Sequence, residues 1–93
     1  MDERYKVRLK VISQAGHCAW GHKVGDEWII DGTTPDGVCL PAFYTLFPDL
    51  RVLTFGGTLP HSKEDPDVHL VTCPDTKNPV VFELRRIRPP YPA

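Results

Sequence analysis

The chain has 93 residues, which bounds it to one domain, and a chain this short buries only about two thirds of its unfolded surface. Charged residues make up 25% and hydrophobic residues 41%, a globular composition without the signature of disorder. A net charge of −1 supplies no global field for nucleic acid or anionic lipid, and no apolar run approaches the roughly 20 residues that a bilayer crossing needs.

Tyr5, Val7, Leu9 and Val11 alternate with Lys6, Arg8 and Lys10. That period of two predicts a strand with one buried and one wet face. The charged, alternating start is no signal peptide, so the expectation is a cytoplasmic protein. Residues 13–25 carry Gly16, Gly21 and Gly25 and read as loop. Gly25-Asp26 then makes a tight turn, and EWII opens a second short strand. DGTTPDG at 31–37 is dense turn chemistry. Phe43, Leu46, Phe47 and Leu50 sit at helical spacing, with Pro41 suited to a first helical position. Pro48 lies too deep for an undisturbed helix. The expectation is about two turns broken or kinked there, then a strand over LRVLTF at 50–55, ended by Gly56-Gly57.

Residues 58–67 read as an exposed loop, VHLVT as a short strand ending at Cys73, and CPDTKNP as another turn. Val80, Phe82 and Leu84 alternate with Val81, Glu83 and Arg85 in a final strand. The tail RPPYPA is not expected to continue a sheet. The sum is a β-rich α+β single domain over residues 1–93, a mostly antiparallel sheet of about five short strands with one short helix.

Cys18, Cys39 and Cys73 each fall beside a turn. Three cysteines make a poor disulfide framework, and a reducing compartment would keep the thiols free. A cysteine with only a packing role usually sits mid-element, whereas the ends of elements are where sites are assembled. Two chemistries could use them. One is zinc or an iron–sulfur cluster held by Cys18, Cys39, Cys73 and His22. The spacing lacks the paired C-x2-C or H-x3-H units of zinc ribbons and fingers and offers only Cys18-x3-His22. The other is thiol or acid–base catalysis. Cys18 and Cys73 would be the reactive sulfurs, Cys39 a thiol at a helix start, and His22 and Asp75 the proton-handling pair. The plain alternative makes all three cysteines small apolar fillers.

The remaining features are read in the same way. His17 and His22 flank Cys18, and His22 has the stronger claim because it shares its turn with Gly21 and Gly25. His61 and His69 receive no role. Asp26 and Asp75 have a plain reading as turn caps. Trp20 and Trp28 read as core or interface, and Tyr44 as surface or pocket donor. FGG at 55–57 is too short for a phosphate loop and reads as a bend or a close backbone approach. Lys6, Arg8, Lys10, Arg85, Arg86 and Arg88 read as a wet sheet face or protected edge, with an anion-binding stripe as the sharper option.

Over nearly its whole length the chain resembles a family of small proteins of this size, with three spaced cysteines and no assigned reaction. The resemblance is carried by CAWGHKVGDEW, by CLPAFYTLFPDLRVLTFGG and by CPDTKNPVVF. It implies that Cys18, Cys39, Cys73, Asp75 and Gly56-Gly57 form a shared unit. Two positions depart from the family pattern: Asn78 stands where Arg is frequent, and Thr72 where a further cysteine is frequent. The functional expectation is a small-molecule enzyme, its thiol or acid–base site near a subunit interface of a homo-oligomer. The alternatives are a zinc or iron–sulfur protein and a non-catalytic interaction module.

Overall fold

The structure is a computed structural model that describes residues 3–60 and 64–92, so His61 lies outside the described residues. It contains strands β1 (Glu3–Gln14), β2 (Glu27–Ile30), β3 (Val68–Thr72) and β4 (Val80–Pro92), with one helix, α1 (Leu40–Thr54), between β2 and β3. The strands form one antiparallel sheet in the order β2-β1-β4-β3. The β-rich α+β architecture expected from the sequence is therefore present, with four strands in place of about five.

The core follows from the register. Leu9 pairs with Leu84 and Val11 with Phe82, so the inward rows of the two central strands coincide. Val7, Leu9, Val11, Val80, Phe82 and Leu84 are all buried, and α1 lays Ala42, Leu46, Leu50 and Leu53 on them. Each large aliphatic side chain contributes about 1.5–3 kcal/mol by leaving water. The opposite sheet face is open and laced with charge, including Arg8–Glu83 at 3.0 Å and Lys10–Glu27 at 3.8 Å.

Two expectations are corrected here. The strand expected over 50–55 is the second half of α1. The buried stripe Ala42, Leu46, Leu50, Leu53 keeps helical spacing past Pro48 and carries the helix through it. Pro48 removes one backbone donor, and the carbonyl it orphans is that of Tyr44, a residue 81% exposed on the solvent side. The tail also stays in the sheet to Pro92, because the ladder slips between Arg4 and Lys6. Pro89 and Pro90 lie opposite that slip, where no ladder donor is required. Among the described residues no helix is long and apolar enough to cross a membrane.

The antiparallel order gathers element ends into two groups. At one end of the sheet, Ala15 N–H donates to the Pro79 carbonyl at 3.0 Å and Cys73 N–H to the Val80 carbonyl at 2.9 Å. That joins the segments after β1 and β3 to the start of β4. The start of α1 arrives at the same end.

Candidate functional site

Cys18, Cys39 and Cys73 come from three separated segments and line one recess, of about 470 Å³ counted to its mouth, together with Asp75 and Asn78. All three are half-buried and free. Cys18 sits on the loop after β1, Cys39 at the N-cap of α1, and Cys73 directly after β3.

Local geometry fixes each of them. Gly16 adopts φ 67°, and a side chain there would run into the Asn78 amide oxygen, so only glycine lets the loop pass. The same oxygen accepts the His17 N–H at 2.8 Å, which anchors the loop just before Cys18. Gly21 N–H donates to the Cys18 carbonyl at 3.0 Å and closes the turn. The sulfur of Cys73 accepts the Val80 N–H at 3.3 Å, so it has a backbone donor of its own. Trp20 stands at the rim, 70% exposed.

Cys39 is the electrostatic reporter of the cluster. Burial raises its thiol above the ordinary value of 9.0, the Ala42 N–H works against that, and charge on Cys18 and Cys73 raises it again. The influence of both neighbours on Cys39 agrees with the three sulfurs lining one recess. It also means that Cys39 holds its proton when its neighbours carry charge.

The other expected members have different employment. His22 is 5% exposed and does not line the recess. Its Nε2 accepts the Cys39 N–H at 3.1 Å, and its ring meets Trp28 and Phe82 edge-on at 5.6 and 5.9 Å. With Nε2 engaged by this bond, the imidazole is committed to the backbone at the start of α1 and not to the recess. His22 is thus a clamp between the Cys18 loop and the start of α1. Among the described residues no three His, Cys, Asp or Glu side chains are arranged to hold a metal ion. Of the expected set, the three cysteines line one recess and the His22 imidazole is turned away to the Cys39 backbone.

Asp75 does reach the recess, but its carboxylate caps its own turn. It accepts the N–H groups of Lys77 and Asn78 at 3.0 and 3.1 Å and the Asn78 amide at 3.3 Å. The Asn78 and Lys77 backbone donors hold its carboxyl below the usual carboxylate value of 3.8. It stays ionised near neutrality, and a carboxylate so stabilised is a weak base. The expected His22–Asp75 proton pair is thus replaced by two structural devices with separate partners.

Gly56-Gly57, which the resemblance grouped with the cysteines, belongs to the far end of α1. Gly56 adopts φ 82°, its N–H donates to Leu53 and the Gly57 N–H to Val52, a Schellman stop. Arg86 completes that end. It is 4% exposed, donates to the Leu53 and Gly57 carbonyls at 3.2 and 2.7 Å, and pairs with Asp67 at 2.9 Å. The reading of Arg86 as part of a wet face is corrected: the inward row Val80, Phe82, Leu84 continues onto it by the period of two. Asn78 escaped notice as a site residue because its part is played through backbone groups distant in sequence.

In comparisons with family models, curated proteins and solved structures, nothing matches this chain.

Proposed function

We propose that the chain is a small-molecule enzyme whose site is the three-cysteine recess. Cys18 and Cys73 are the nucleophilic sulfurs, and Cys39 is the proton donor. The observation that carries this reading is the convergence of three free thiols, from three separated segments, on one recess. A thiolate adding to a polarised carbonyl carbon forms the S–C bond, and the π electron pair moves to the oxygen. That oxygen then takes the proton of Cys39, the thiol held protonated by burial. Asp75, ionised at the rim, leaves the proton-donor role to Cys39.

Uncovered apolar side chains support a homo-oligomer with the site near the subunit contact: Trp20 at the rim of the recess is 70% exposed, and Leu40 and Tyr44 in the first turns of α1 are 78% and 81% exposed. Free thiols as working groups call for a reducing compartment such as the cytoplasm.

The test is reaction of the native protein with an aromatic disulfide reagent, the labelled positions being read by mass spectrometry. Cys18 and Cys73 are expected to label in the folded protein, and Cys39 more slowly. If all three label only after unfolding, the thiol reading fails. Size in solution, with and without Trp20→Ala, tests the subunit contact; an unchanged size removes Trp20 as its anchor.

A further inference from the structure

We propose a second binding site, independent of the thiols: the cleft between α1 and the connection that follows β2 binds an organic monocarboxylate with an apolar body. The cleft is shallow and open, about 610 Å³ counted out to its mouth, so a ligand would lie along it with one side in water. Phe43, Phe47, Leu50 and Phe55 supply one apolar wall and Ile30 the other. Among the described residues the charged ones lining it are Arg4 and Arg51, and it is Arg51 that carries the proposal.

The chemistry of those groups selects the ligand. The Arg51 guanidinium lies 4.4 Å from the centre of the Phe55 ring. Stacking occupies the face of a guanidinium and leaves its in-plane N–H fork, the geometry that matches a carboxylate with two parallel hydrogen bonds. No ion pair among the described residues engages Arg51. The C-terminus of α1 is close by, and a helix C-terminus normally repels anions. Here its carbonyls are already answered by Arg86 and the Gly56-Gly57 stop, so the repulsion is muted. The Thr54 hydroxyl donates to the Leu50 carbonyl at 2.7 Å, which leaves the Thr33 and Thr34 hydroxyls to solvate the rim. Apolar walls and the Arg51 guanidinium at the polar edge suit a single negative charge on a greasy body.

The experiment is an amide-resolved NMR titration with phenylpropionate, repeated with the neutral phenylpropanamide. Saturable shifts are expected at Thr33, Thr34, Phe47 and Phe55, with the amide binding about tenfold or more weakly. Arg51→Met keeps the apolar stem and is expected to lower the carboxylate to the affinity of the amide. Absence of saturable shifts, equal binding of acid and amide, or shifts confined to the Cys18 and Cys73 loops would each overturn the proposal. If Arg51→Met loses its native spectrum, the acid–amide difference in the unaltered protein decides.

Discussion

The two ends of α1 are finished in opposite ways. At the C-terminus every device for satisfying a helix is in use: a positive-φ glycine, two backbone bonds that close the last turn, and a buried guanidinium on the Leu53 and Gly57 carbonyls. At the N-terminus Cys39 makes no side-chain cap bond, the first turn holds no acid, and Pro41 has no donor to offer. A Ser, Thr, Asp or Asn in the place of Cys39 would add about 1 kcal/mol. The closed end is built for stability. The open end leaves the positive pole of a helix beside the recess that the three thiols line, where negative charge on a reacting oxygen is favoured.

The comparison breaks if the closed end is not what holds the molecule together. Arg86→Met strands the Gly57 and Pro66 carbonyls, leaves the Leu53 carbonyl with the Gly56 N–H, and leaves Asp67 with Arg88 as its remaining partner. Losing one member of a buried pair costs 3–5 kcal/mol; Asp67 keeps Arg88 at 2.8 Å, so about 3 kcal/mol is expected from urea unfolding. A loss below about 1 kcal/mol, the value of a surface ion pair, would show that Arg86 is not a keystone. The same cluster has an acid signature. Hydrogen bonds from Arg88 and Arg86 hold the Asp67 carboxyl below its ordinary 3.8. A lowered folded value stabilises above that pH, and the stabilisation disappears as pH falls through the folded value. Asp67→Asn is expected to flatten the acid limb of the stability curve.

The open end has one fastening, and His22→Ala removes it. The variant orphans the Cys39 N–H and empties the ring contacts with Trp28 and Phe82. About 2 kcal/mol is expected in denaturant unfolding, from an unpaired buried donor and lost aromatic packing. Labelling of Cys39 should also speed up as its surroundings loosen. Unchanged stability would mean that the clamp is idle.

How much of this was legible depended on the range of the interaction. The sheet was, because alternation in Tyr5–Val11 and Val80–Leu84 is a local signal that burial enforces. The helix was half legible: Pro48 and the β-type residues Val52 and Thr54 argued for a stop, and tertiary packing of Leu50 and Leu53 overrode them. The sulfurs' common address could be guessed from their placement at element ends. The employment of His22 and Asp75 could not, because it depends on which backbone donors the fold brings to them. Arg86 was readable by extending one strand pattern by a single step, and its charge argued it outward.

Gly16→Ala probes how finely the Cys18 loop is placed. The added methyl meets the Asn78 oxygen in a backbone conformation that disfavours side chains, and the His17–Asn78 bond must open. About 1–2 kcal/mol of destabilisation is expected, with altered labelling of Cys18 and no change in the acid limb set by Asp67. A variant as stable as the parent would show that the loop is not held there.

The smallest effect tests the open end most directly. Burial is the main reason the Cys39 thiol lies above 9.0, and charge on Cys18 and Cys73 is a lesser one. The alkylation rate of Cys39 in the folded protein should therefore rise with pH later than that of an unfolded thiol. Cys18→Ser or Cys73→Ser should move the rise only part of the way back, since burial remains. The sign also fixes stability: a raised folded value means that stability falls as pH climbs past 9.0 and the unfolded thiol ionises first. If either serine variant leaves the Cys39 profile where it was, that sulfur is outside the cluster. If both do, the three thiols are neighbours only in outline, and the open end of α1 has no chemistry to explain its missing cap.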